Sequence, residues 1–204
     1  LRDYNPWVWV LGRYIFDFYA LLYPILAAIL SYSLCDVEYK NYGFRLLFTR
    51  PISKLTIYSS KMVFLLEINF ISFLIGYLAF LLSGFALDKL LPGYEFSSYN
   101  VNNLTAFYFS YLFIALSAVS IMQYYLSLIF KSFVLPIGFA GFMTIFGVIA
   151  QNKDYIYLIP YGTVWRLNYG FYSGIIDFSK GEYLNISCVL FFIIISFFVF
   201  IRKK

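Results

Sequence analysis

Long apolar runs separated by polar breaks set the pattern of this chain. The runs cover about residues 14–34, 61–83, 104–130, 133–150 and 184–201. Each has roughly the length, ~20 residues, that a helix needs to cross ~30 Å of hydrocarbon. The pattern predicts an all-α polytopic membrane protein, one transmembrane domain over 1–204 with five spans. The break between the first two runs, 36–54, stands apart. It holds Lys40, Arg45, Arg50 and Lys54, with Lys61 just beyond, against Asp36 and Glu38. Glu38, Asn41, Arg45 and Thr49 fall at helical spacing, and Tyr39, Tyr42 and Leu46 recur along another side. That spacing predicts a short amphipathic helix lying in a membrane interface. Pro51 stops it, since proline lacks the N–H and disfavours helical geometry at Arg50. Ser53 is placed to cap the helix that follows.

Polar residues inside the runs are candidates for a path or gate. Asp17 lies near one end of the first run, one turn after Arg13, and reads first as half of a local ion pair. Pro24 is expected to kink that span. Glu67 and Asn69 lie in the second run, and an intramembrane carboxylate is a functional suspect by default. Gln123 accompanies Ser110, Ser117, Ser120 and Ser127 in the third, a composition suited to close helix packing. Gly138, Gly141, Thr144, Gly147 and Ala150 recur every three residues in the fourth and predict a slowly winding groove for a partner helix, of this chain or of a second copy. A polar connection is expected from Gly84 to Asn103. The longest connection, 151–182, is rich in aromatics, including Tyr161 and Trp165, and predicts an interfacial or partly re-entrant lid.

Composition narrows the function. The 204 residues are 62% hydrophobic and 12% charged, and the mean hydropathy is +0.79. A soluble domain could not cover so much apolar surface. The sequence has no His, so Ser-His-Asp hydrolysis, His-ligated metals and His proton relays drop out, and no cofactor is expected. The net charge of +5 is a topology signal and not a nucleic-acid footprint. Lys40, Arg45, Arg50, Lys54, Lys61, Lys131, Arg202, Lys203 and Lys204 fall on one side of the predicted spans. Arg2, Arg13, Lys89, Lys153, Arg166 and Lys180 fall on the other, spread over longer segments. The first side is therefore expected to be cytoplasmic. Cys35 and Cys188 are expected near opposite membrane faces, too far apart for a disulfide.

Glu38, Asn41, Phe44, Arg45, Leu46, Leu47, Pro51, Ile52, Ser53, Tyr58 and Lys61 form a pattern: a Glu, a basic helix, Leu-Leu-x-x-x-Pro-Ile-Ser, then a Lys ten residues after the Pro. It resembles the coupling segment of type 2 ABC exporter permeases, in particular the bacitracin-resistance and lantibiotic-immunity branch. Leu158 to Arg166 is similar to an outer segment of the same family. The resemblance implies the membrane half of an exporter in a bacterial cell membrane. It implies a separate cytoplasmic ABC ATPase docked on 36–54, a second permease copy, lipid around the spans, and six spans in the full protein. The chain itself would not be an enzyme, and it has no Walker-type glycine loop. Glu38, Asn41, Arg45, Arg50, Pro51 and Ser53 would couple to the ATPase. Asp17, Glu67, Asn69, Gln123, Tyr161 and Trp165 would be candidates for the path of an amphipathic or lipid-like cargo such as a peptide antibiotic. The competing expectation is a membrane scaffold that binds some other cytoplasmic protein.

Overall fold

Helix α5 (Asn102–Ile129) stands at the centre, and the other elements are arranged around it. The computed structural model describes residues 6–7, 17–40, 43–49, 51–94, 96–98, 102–173 and 178–203. Among them are α1 (Asp17–Leu21), α2 (Tyr23–Tyr39), α3 (Gly43–Phe48), α4 (Lys54–Leu90), α5, α6 (Val134–Ala150), α7 (Pro160–Ser173) and α8 (Phe178–Ile201). Short 3₁₀ turns fill Pro92–Tyr94, Phe96–Ser98 and Asp154–Leu158. No strand occurs among the described residues. α5 packs against α2, α4, α7 and α8, while α6 packs mainly on α2 and α7.

Three helical stretches are long and apolar enough to cross a membrane: Lys54–Leu90, Tyr108–Ile129 and Tyr183–Ile201. α6 is apolar but only 17 residues long. The three long stretches differ in how they are embedded. α5 is mostly buried by its neighbours, whereas α4 and α8 present wide apolar faces outward.

One expected interruption appears and one expected boundary moves. The first span is broken beside Pro24, into α1 and α2 at Leu22, where proline cannot supply its i→i−4 bond; Leu22 keeps helical dihedrals, and Leu22 N–H bonds Phe18 O and Leu26 N–H bonds Leu22 O across the break. The second span does not end near Ser83. α4 runs on through Gly84 to Leu90, where Leu91 N–H bonds Leu87 O at 2.8 Å and Pro92 forbids continuation. Gly84 lies within that helix because a Cβ there would stand 1.9 Å from the Trp7 ring, which packs on it. Trp7 Nε1 then donates to Phe96 O at 2.8 Å, fixing the C-terminal end of α4 to the turn beyond it.

Candidate functional site

The polar stretch 36–54 does not fold as one helix. Asp36 to Tyr39 complete the last turn of α2, and the chain reverses before α3 begins at Gly43. Gly43 is what lets α3 fold back so closely. A Cβ there would lie 2.8 Å from Glu38 Cα and 2.9 Å from Val37 O. The expected single stripe of Glu38, Asn41, Arg45 and Thr49 is thereby divided between two elements. Arg45 lies on α3, while Asn41 and Arg50 lie outside the described residues. α3 ends at Phe48, three residues before Pro51, and Ser53 begins α4 as expected. Its extended backbone (φ −65°, ψ 142°) and its Oγ, 3.1 Å from Thr56 N, make it the N-cap.

Glu38 turns inward instead of outward. The residue is 8% exposed, and its Oε1 lies 2.5 Å from Lys61 Nζ on α4. Lys61 also donates to Leu34 O at 2.7 Å, so one ammonium ties the end of α2 to the first turns of α4. Glu38 Oε2 has no partner among the described residues. Burial, the larger effect, pushes the Glu38 carboxyl above the usual range, and Lys61 pulls it part of the way back.

Around this pair other helix ends converge. Phe44 of α3 packs against Tyr39, Phe48 and the buried Phe200 of α8. Tyr39 OH donates to the carbonyls of Ser127 and Leu128 at the end of α5, at 2.8 and 2.9 Å. Lys54, the first residue of α4, donates to Ile201 O at the end of α8 (2.9 Å) and lies 4.2 Å from the centre of the Phe48 ring. A cation on those last carbonyls also complements the helix dipole. Lys203 lies 5.1 Å from the Tyr39 ring centre, and its ammonium is pushed down, first by burial and then by Lys131. The ends of α2, α5 and α8, the start of α4 and all of α3 thus form one junction lined by basic residues.

The path candidates do not form one constellation. Asn69 is buried on α4, where its Oδ1 accepts from Tyr23 OH of α2 and from Ser120 Oγ of α5 at 3.1 Å. Gln123 is buried on α5 and donates to Tyr161 OH of α7. Tyr161 and Trp165 are buried inside the bundle, 1% and 7% exposed, so α7 packs inward against α5 and α6. Asp17 lies on α1, partly exposed. Glu67 is exposed on α4 with no hydrogen bond or ion pair among the described residues. The small-residue series of α6 is divided too. A Cβ on Gly147 would stand 2.6 Å from Trp165, whereas one on Gly138 or Gly141 would meet nothing within 4 Å.

The profile of the ABC-2 family transporter proteins matches residues 3–147, which include α1 to α5 and most of α6. The chain belongs to this family. No curated protein and no solved structure matches it. As an ABC-2 transporter protein it is a multi-pass membrane permease of an ABC transporter, in a family whose permeases work with an ATPase subunit and usually pair.

Sequence reading missed three parts of the ABC-2 protein's basic junction: Gly43 as a close-approach residue, Lys54 as a cap on α8, and Lys61 as the partner of Glu38. Lys61 alone carried a signal, as a basic residue at the inner edge of an apolar run with an acid upstream.

Proposed function

We propose that this chain is the permease of an ATP-driven exporter of the bacitracin-resistance and lantibiotic-immunity kind. It crosses a bacterial cell membrane five times, with the basic junction cytoplasmic. The ATPase docks on 36–54, with Arg45, Arg50 and Asn41 as its polar contacts, Pro51 setting the bend and Ser53 starting α4. The single observation that carries this reading is the junction, where the segment resembling a coupling element is tied to the inner ends of α2, α4, α5 and α8. Movement of a docked ATPase would reach four helices at once, which is what switching between inward and outward states requires. Glu38 serves this from within, holding the start of the segment to α4. The segment 154–173 is a partly re-entrant lid on the outer half, and the cargo is an amphipathic peptide, in keeping with aromatic walls that carry few charges.

Co-purification from the native membrane tests the reading. Wild type should bring down an ATPase with Walker motifs and raise resistance to a peptide antibiotic. Arg45→Ala should lose at least one of the two, and Lys89→Ala, at the opposite end of α4, should lose neither. If no ATPase accompanies the wild-type protein, the chain is a scaffold and the exporter reading fails.

A further inference from the structure

The short turn between α5 and α6 sets a cation in an apolar surface. α5 closes with Phe130 N–H on Leu126 O at 2.9 Å, and α6 opens with Val134 N–H on Ser132 Oγ at 3.3 Å. Lys131 is exposed between them, beside the exposed side chains of Phe130, Phe133 and Val134. α2 holds this turn in place. Tyr32 OH donates to Lys131 O at 3.3 Å, and the Tyr32 and Phe133 rings meet edge to face at 5.3 Å. A second cation reaches the same helix end from α8. Lys203 Nζ lies 3.4 Å from Tyr39 OH, the hydroxyl that bonds the carbonyls of Ser127 and Leu128 in the last turn of α5. There the Lys131 charge pushes the Lys203 ammonium down, an effect second only to burial. Asp36 and Glu38, the acids at this end of α2, are already taken by Lys40 and Lys61. No carboxylate pairs with Lys131, Arg202 or Lys203 among the described residues.

We propose that Lys131 and Lys203 bind the phosphate of an anionic phospholipid, whose acyl chains lie against Phe130, Phe133 and Val134. Position selects that ligand over other anions. α5 and α8 are both long and apolar enough to cross a membrane, and each cation stands two residues past its helix end, Ile129 or Ile201. That is headgroup depth, where anionic lipid attracts Lys and Arg. A soluble anion would use the two charges and leave the apolar wall bare, whereas a phospholipid uses both. The site needs only that the chain lies in a membrane, as its family requires, and not that it exports a peptide.

The test uses the full chain, purified in an uncharged detergent and titrated under native mass spectrometry. The probes are dioleoyl phosphatidylglycerol, phosphatidylcholine with the same chains, and glycerol 3-phosphate, an anionic headgroup without chains. Phosphatidylglycerol should bind saturably and about tenfold more tightly than either of the others. Lys131→Gln, an exposed substitution, should weaken it about fivefold, and Lys131→Gln/Lys203→Gln about twentyfold, the effect of one juxtamembrane charge each. Val134→Asn should weaken it about threefold although both charges remain. Lys89→Gln, at the far end of α4, should change nothing. Without lipid, Lys131→Gln and Val134→Asn should melt like wild type, so that a weaker adduct reports the site and not the fold. Phosphatidylcholine or glycerol 3-phosphate binding as tightly as phosphatidylglycerol would overturn the proposal, as would Lys131→Gln binding like wild type. A missing phosphatidylglycerol adduct would overturn it too, leaving the two cations to an acidic partner protein. No ATPase and no antibiotic enters these readouts, so the proposal stands or falls separately from the exporter reading.

Discussion

Glu38 and Glu67 are carboxylates on adjacent helices with opposite surroundings. Glu38 is enclosed at the basic junction, with Lys61 at 2.5 Å and Gly43 pressed against its backbone. Glu67 stands on an open apolar face and touches no donor among the described residues. The difference teaches where each acid finds its compensation. Glu38 is compensated within the chain, so its loss should be felt by the purified protein. Glu67 has no such partner among the described residues, so its loss should leave the melting of the purified chain nearly unchanged.

The largest expected effect is therefore on the enclosed side. Glu38→Ala leaves the half-buried Lys61 ammonium with only Leu34 O as partner; removing one member of a fully buried pair costs about 3–5 kcal/mol, and this partly buried one should cost about 2–3 kcal/mol. Thermal unfolding of the purified protein should show this loss, and Glu38→Gln/Lys61→Met should recover most of it. A Glu38→Ala variant as stable as wild type would mean that the pair does not hold the junction. Gly43→Ala comes next. Its Cβ would meet backbone at 2.8 Å, which forces α3 away from α2, and overpacking of this kind costs about 1–3 kcal/mol. Gly138→Ala, facing open space, should leave melting unchanged in the same assay. Ser53→Ala removes the α4 cap and should cost about 1 kcal/mol, measurable as earlier fraying of the α4 start by amide exchange.

A pH titration separates the two acids further. With the folded Glu38 carboxyl above its unfolded range, the folded state binds the extra proton within that window. Stability from this group is fully present below the unfolded value and is lost as pH rises through the folded one. Glu38→Gln should flatten that part of the stability–pH curve, and a curve unchanged by the substitution would contradict the inward placement of the carboxyl. The smallest effect belongs to Glu67→Leu, which should leave the melting temperature of the purified chain where it was or raise it slightly.

The all-helical character and the long apolar helices were legible in the sequence because apolar length is a coarse signal that neighbours do not alter. The Ser53 cap was legible because it is a local bond between residues three apart. Glu38 was misjudged because side-chain direction at the end of a helix depends on where the next element turns. Gly43 sets that turn, and its effect is visible only once Val37 and Glu38 are placed beside it. The α6 glycines wind slowly, as a period of three requires: Gly147 meets Trp165 inside the bundle, while Gly138 and Gly141 have moved round to open space. Lys203 sits against Tyr39 within the junction, a long-range contact that no local pattern signals.

The length of α4 has a mechanical consequence. Its 37 residues contain no proline, and at 1.5 Å per residue they form a rod of about 55 Å. Its glycines at 76 and 84 are places where Tyr19 and Trp7 lean on the rod, not hinges. A rod of that length that tilts by about 10° about one end carries the other through on the order of 10 Å. Small rotations at Ser53 would therefore arrive at Leu90 amplified, and α4 can act as a lever arm between the two faces of the membrane.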